Sequence, residues 1–460
     1  MVALLVASNR GPLSFAEDGT PRRGGGGLVS ALSATGRDDV VWVCAALDEG
    51  DRRAVRSGLV APPLVMLDID PVTFDRAYNR VANSALWFVN HLLHDLPREP
   101  SWDARSRREW LAFTAYDAAF AAALAARADR GAAVLVQDYH LTLVPRQLRE
   151  LRPDLRIGHF SHTPWAPPEV LRTLPDAVVQ DVLSGLLGAD AVGFHSARWA
   201  RAFRDCCVQL AGAEPVEGGL AWQGRTVRLG VHPLGVDAVE LAERAARPDV
   251  VDRLPGVQEL ARGRQLLLRI DRTELSKNIV RGLQSYRELL RAWPEHRGTV
   301  VHLAFAYPSR HDLPEYREYT AAVQRTAVEV NEEFGTASWL PVHLEVRDDY
   351  ARSLAAYQVA DVLVVNPVRD GMNLVAKEGP VLSRQGLGLV LSREAGAADE
   401  LGADALLVNP FDLEQTAEAM HRSLVMAPAE RAARSARMAA AASAMPPSAW
   451  LAAQLAALPS

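Results

Sequence analysis

The apolar positions of this chain fall mostly in short unbroken runs. Stretches 3–7, 40–45, 64–69, 133–137, 265–270, 300–306 and 362–365 are dominated by Val, Leu, Ile and Ala, and each is followed by polar or turn-forming residues. Runs of this kind are the pattern of strands buried on both faces of a parallel sheet. Between them lie longer segments with helical spacing, including 105–130, 278–292 and the alanine-rich tail after Met426, which Pro446-Pro447 interrupts before Trp450. Strand and helix alternate from end to end, which predicts an α/β protein with doubly wound parallel sheets. A chain of 460 residues exceeds one ordinary core. The series restarts after Pro233-Leu234-Gly235-Val236. The expected domains are therefore 1–234 and 235–440, with 441–460 a terminal helix that packs back on the first.

The most informative run is 361–378, DVLVVNPVRDGMNLVAKE. Its apolar half predicts a central strand ended by Asn366-Pro367. Asp370 is then placed to cap a helix that opens at Met372. Asp370, Gly371, Met372 and Asn373 would thus sit at the carboxyl end of a strand and the amino end of a helix, where open α/β sheets bind ligands. Helix-end amides suit a phosphate, and Asp370 and Glu378 offer carboxylates to sugar hydroxyls. An ordinary strand–turn–helix with a capping Asp and a solvated Glu fits the same residues.

Other strand ends carry chemistry too. After the first strand come Ser8-Asn9-Arg10 and the glycines 24–27, a run that lets backbone approach an anion closely. Asp138 ends the strand 133–137, and His159 and His162 close the next. Arg272 and Lys277 follow the strand 265–270; two cations there can neutralise a departing diphosphate. The alternative for Arg272 is a surface ion pair with Glu274. Tyr78, Asn83 and Trp87 suit a sugar face or, equally, the inside of a core helix. Asp68-Ile69-Asp70 has the form of a metal-binding DxD, but it merely ends a strand before Pro71.

Composition narrows the class. Net charge is −6 with no dense basic run, which argues against a nucleic-acid partner. Three cysteines, Cys44, Cys206 and Cys207, are too few and too irregular for a disulfide framework or zinc site, and read as reduced buried thiols. The apolar amino terminus lacks a basic leader region and no run reaches membrane-spanning length. The expectation is a cytoplasmic protein with small-molecule substrates.

Taken together, Ser8-Asn9-Arg10, Gly26-Gly27-Leu28, Tyr78-Asn79 with Asn83 and Trp87, Gln137-Asp138-Tyr139-His140-Leu141, His162-Thr163-Pro164-Trp165, Arg272 with Ser276-Lys277, and Arg369-Asp370-Gly371-Met372-Asn373-Leu374-Val375-Ala376-Lys377-Glu378 resemble the trehalose-6-phosphate synthase family over nearly the whole chain. The resemblance implies the GT-B architecture: two Rossmann-like domains facing across a cleft. It implies transfer of glucose from UDP- or GDP-glucose to glucose 6-phosphate with retention, without a metal or other cofactor. By the same resemblance Gly27, Arg272, Lys277, Gly371 and the amides of Met372, Asn373 and Leu374 would hold the donor diphosphate. Asp370 and His162 would hold the transferred sugar, and Glu378 the ribose. Arg10, Tyr78 and Arg310 would bind the acceptor phosphate, with Trp87 and Asp138 at the acceptor sugar. Arg272, Lys277, Asp370 and His162 would carry catalysis. The family is often a dimer or tetramer. The run Arg272-Thr273-Glu274-Leu275-Ser276-Lys277-Asn278 departs from the usual RLDYTKG-like form and looks like a subgroup that includes GDP-glucose users, so guanine is the expected base. His159 stands where an aromatic is common. Arg80, beside the acceptor motif, motivates the alternative of another phosphorylated acceptor, such as a cyclitol phosphate or glycerol 3-phosphate.

Overall fold

The computed structural model describes residues 4–23, 40–98, 100–310 and 313–459. The glycine run and Gly27 lie outside them. The chain forms two compact units, one of residues 1–234 with 447–460, the other of residues 235–446.

The strands of the first unit are β1 (Leu4–Ala7), a small hairpin β2 (Leu13–Phe15) and β3 (Pro21–Arg23), β4 (Val40–Ala45), β5 (Leu64–Leu67), β6 (Ala133–Gln137), β7 (Arg156–Ser161), β8 (Ala191–Phe194), β9 (Glu214–Val216), β10 (Gly219–Trp222) and β11 (Arg225–Val231). Among the described residues its main sheet has the order β5-β4-β1-β6-β7-β8-β11-β10-β9. Pairing is parallel from β5 to β11, and β10 and β9 close the edge antiparallel. All residues of β1, β6 and β8 are buried, as their unbroken apolar runs require. The antiparallel edge departs from the expected all-parallel sheet. β9 and β10 are only three and four residues long, and β9 is wholly exposed, so the hydrophobic pattern carries little signal there.

The second unit contains β12 (Gln265–Arg272), β13 (Val300–Tyr307), β14 (Val342–Glu345), β15 (Val362–Val365), β16 (Gly388–Ser392) and β17 (Leu406–Val408). They form a wholly parallel sheet in the order β14-β13-β12-β15-β16-β17. Counted within the unit this is 3-2-1-4-5-6, the Rossmann order, whose ligand crevice opens where the winding reverses. That point lies between β12 and β15. In the first unit the same reversal lies between β1 and β6.

Two helices differ from expectation in ways that shape the site. The segment Arg76–Leu86 is a π-helix, with the Trp87 N–H donating to Ala82 O five residues back. Such widened turns are rare and recur at functional positions. The helix after β15 starts at Leu374, and Asn373, not Asp370, caps it through its side-chain oxygen to the Ala376 N–H. Asp370 is drawn instead to Lys277.

Candidate functional site

At the β1/β6 reversal the loop after β1 is anchored from below. Trp42 Nε1 donates to Ser8 Oγ at 2.7 Å, and Tyr116 Oη to Asn9 Oδ1 at 2.5 Å. Both residues are buried, which leaves Arg10 as the exposed member of the motif. Arg10 Nη2 donates to Tyr78 Oη at 3.3 Å. Tyr78 leaves the π-helical turn between Phe74 and His140, stacked at 5.2 and 5.5 Å. Trp87 is buried, stacked on His91 and tilted against Tyr139, whose hydroxyl donates to Asn83 Oδ1 at 2.7 Å. Of the two readings for this segment, Trp87 and Asn83 belong to the packed interior, while Tyr78 joins Arg10.

Asp138 follows β6 with φ 71° and ψ 172°. That region is essentially reserved for glycine, and a non-glycine residue there costs about 1–3 kcal/mol. Hydrogen bonds hold it: its N–H donates to Phe160 O at 2.7 Å, and its Oδ1 accepts the His162 N–H at 3.1 Å. These bonds join Asp138 and its carboxylate to the end of β7, which carries His159 and runs into His162. His162 Nε2 lies 3.0 Å from Gln137 Oε1 and His162 Nδ1 3.2 Å from His195 Nε2. Burial holds His162 down to about 3 and His159 to about 4, so both are neutral at physiological pH.

At the β12/β15 reversal the groups are charged. Lys277 Nζ lies 2.6 Å from Asp370 Oδ2. Burial disfavours the ammonium, but Asp370 and Asp271 more than offset it, and the Lys277 pKa ends above its ordinary value. Asn373 Nδ2 donates to Asp370 Oδ2 at 3.0 Å. The loop carrying Asp370 is clamped by the next one, with Asp370 N–H donating to Glu394 O at 3.2 Å, Gly396 N–H to Asp370 O at 3.1 Å and Ala397 N–H to Met372 O at 2.8 Å. Gly396 must be glycine: an added Cβ would sit 2.0 Å from Gly371 O.

Arg272 pairs with Glu274 at 2.8 Å, but this is no surface pair. Glu274 is fully buried, and although burial itself favours the neutral acid, Arg272, Arg310 and Lys277 hold its carboxyl down to about 2. Arg272 remains half-exposed above it. Arg310, at φ 47°, donates from Nη1 to Tyr316 Oη at 2.6 Å and belongs to this charged group in the second unit. Beneath lies fully buried Arg269, bonded to Asp271 at 2.8 Å, to Asn366 Oδ1, and to the Lys277 carbonyl at 3.1 Å. Glu378 accepts from Tyr357 Oη at 3.0 Å, and burial pushes its carboxyl up to about 7.

The structure therefore gathers Arg272, Lys277, Asp370, Gly371, Met372, Asn373 and Leu374 at one reversal, and Arg10, Tyr78, Asp138 and His162 at the other. Sequence reasoning gave no site role to Arg269, Asp271, Asn366 and Tyr357 in the second unit or to His195 in the first, quoted Gln137 only as part of a motif, and offered Glu274 only as a surface partner of Arg272. Asp271 and Glu274 flank Arg272, and a run so dense in charge directly after an apolar strand is a signal that could have been used. Nothing local marks Tyr357 or His195.

The sequence profile of glycosyltransferase family 20 matches residues 8–459. A probable alpha,alpha-trehalose-phosphate synthase [UDP-forming] 2 of Arabidopsis thaliana is 34% identical over 448 residues, 94% of this chain, and the chain spans only 54% of that protein's length. The alpha,alpha-trehalose-phosphate synthase [UDP-forming] of Schizosaccharomyces pombe is 33% identical over 94% of this chain and 85% of its own. Among solved structures, an alpha,alpha-trehalose-phosphate synthase (UDP-forming) from Burkholderia vietnamiensis superposes with a TM-score of 0.86 at 30% identity, covering 98% of both chains. A structure described as trehalose-6-phosphate from E. coli bound with UDP-2-fluoro glucose gives 0.87 at 28% identity, also covering 98% of both.

Proposed function

Because the chain belongs to glycosyltransferase family 20, we propose that it is a retaining glucosyltransferase that makes α,α-trehalose 6-phosphate from a nucleoside diphosphate glucose and glucose 6-phosphate. The observation that carries this reading is the convergence of Arg272, Lys277 and Asp370 at the β12/β15 reversal.

Breaking the bond between glucose and the diphosphate places negative charge on the leaving phosphate. Preorganised cations lower that barrier without rearranging in the transition state. Lys277, kept protonated by its acidic neighbours, and half-exposed Arg272, braced by Glu274, supply them. Asp370 orients Lys277 and holds hydroxyls of the transferred glucose, while the first amides of the helix Leu374–Leu382 add their dipole. Glu378 receives the ribose. In the first unit Arg10 and Tyr78 take the acceptor phosphate, Asp138 orients the acceptor sugar and His162 meets the donor sugar. Attack on the face from which the diphosphate leaves, with that phosphate accepting the acceptor proton, needs no protein nucleophile. The cation pair supplies the charge that a metal supplies elsewhere.

UDP-glucose is the proposed donor, since the relatives above are named as UDP-forming. Those names give no support to GDP-glucose, which the RTELSKN run led us to expect. Incubation with each donor and glucose 6-phosphate, with product analysis, tests the proposal. A non-reducing phosphorylated disaccharide is expected, faster with UDP-glucose. No such product with either donor overturns the assignment.

A further inference from the structure

We propose that His195 is a positioning residue for His162, and that the C-terminal helix Pro447–Ala456 completes a one-way hydrogen-bond ladder that presents His162 as a neutral donor with its proton on Nε2. The proposal rests on the reading of His162 as a donor-sugar contact, and all its members lie in the first unit.

The direction of the ladder is set at its ends. The Leu234 backbone N–H can only donate, and it lies 3.3 Å from His195 Nδ1. The His232 carbonyl, 3.3 Å from the same nitrogen, accepts the indole N–H of Trp450 at 3.1 Å, so it is not left without a donor when Nδ1 takes the Leu234 N–H. His195 Nδ1 is therefore the acceptor, and its proton sits on Nε2. That N–H points at His162 Nδ1, 3.2 Å away, which must accept in turn. The His162 proton is then on Nε2, directed to Gln137 Oε1 at 3.0 Å. The Gln137 amide nitrogen donates to Gln454 Oε1 at 3.4 Å. Read in this direction, each of the four contacts has one donor and one acceptor, with one tautomer of each imidazole.

The same helix fixes the rings in space. Trp450, fully buried, lies 4.9 Å from Phe160, 5.5 Å from His162 and 6.4 Å from His195. Phe160 in turn meets His162 and His195 at 5.0 and 4.8 Å. Orientation of a histidine through the partner of its other ring nitrogen is a general device; at metal-ligating histidines, loss of that partner costs about ten- to a hundredfold. A sugar oxygen reaching His162 would accept the Nε2 proton in place of, or shared with, Gln137. His162 thus orients the sugar and moves no proton.

Ring-nitrogen NMR of the full chain tests this through the tautomer, and donor kinetics through function. In the wild type, His162 is expected as the Nε2–H tautomer throughout pH 5.5 to 8.5. His195→Leu removes the donor to Nδ1; the His162 tautomers should mix, and KM for the nucleoside diphosphate glucose should rise about tenfold. His195→Gln, whose side-chain N–H can reach the same nitrogen, should restore both. The proposal is overturned by a wild-type His162 protonated on Nδ1, by titration of that ring near its ordinary value, or by a His195→Leu protein with tautomer and KM unchanged. The NMR reading needs no turnover. An ordered tautomer in a protein that transfers no glucose would sink the functional assignment and leave the ladder standing.

Discussion

Around the β1/β6 reversal, the groups are two neutral histidines, stacked aromatic rings and one partly buried carboxylate held in a strained backbone. Around the β12/β15 reversal, Arg269 with Asp271, Arg272 with Glu274 and Lys277 with Asp370 keep six formal charges within one loop cluster. Both lie where a parallel sheet changes its winding direction, so topology alone does not explain the contrast. Burial strips charge from a lone imidazole but preserves it where an opposite charge stands within hydrogen-bond distance. A neutral corner can sort hydroxyls by direction. A charged one can absorb the negative charge that develops on a phosphate.

Removing the charge at the centre of the second cluster should have the largest effect. Asp370→Asn takes the partner from Lys277 and is expected to lower kcat about a thousandfold. Steady-state kinetics check it, and a loss under tenfold would erase the distinction between the two reversals. In the first unit, Asp138→Gly should act on binding rather than on stability. Glycine adopts φ 71° freely, so the thermal midpoint should hold or rise, while KM for glucose 6-phosphate increases ten- to a hundredfold. Asp138→Ala, which keeps the strain without the carboxylate, should be the less stable of the two.

Glu378 sharpens the contrast through pH. Its folded pKa of about 7 stands above the ordinary 4.5, so its stabilising contribution is complete below 4.5 and is lost as pH rises through 7. Glu378→Gln should therefore flatten the melting temperature across that window and be the more stable protein at pH 8. Ribose hydroxyls favour the ionised carboxylate, so donor binding near neutral pH should release a proton, read by calorimetry in buffers of different ionisation enthalpy. The smallest effect is expected at His302, fully buried on β13, where neither ring nitrogen has a hydrogen-bond partner among the described residues. Burial lowers its pKa to about 3, so its neutral form supports the fold above pH 6.5 and that support fades as pH falls toward 3. His302→Leu should leave activity intact, stabilise by about 1 kcal/mol, and stabilise more at pH 5 than at pH 8, as measured by denaturant unfolding.

Much of this was legible from residues in order. Apolar runs mark β1, β6, β12 and β15 because a strand covered on both faces buries almost every side chain; the polar exceptions, Gln137, Arg269 and Asp271, are each held by a hydrogen-bond partner. The polar residues that close or follow those strands, Arg10, Asp138, Arg272 and Asp370, were thereby placed near strand ends. What each then touches was not legible. Asp370 looked like a helix cap until a lysine 93 residues away claimed it, and Asn373 took over the cap. Glu274 looked solvated, yet it is the buried counter-ion of Arg272. Gln137 meets Gln454 across 317 residues. Local pattern determined the central strands and about where they end, because burial patterning acts over a few residues at a time. The winding order of the sheets, the partners of each charge and the tautomer of each histidine were decided only in three dimensions, where packing brings distant groups within a single hydrogen bond and desolvation selects the protonation state that survives.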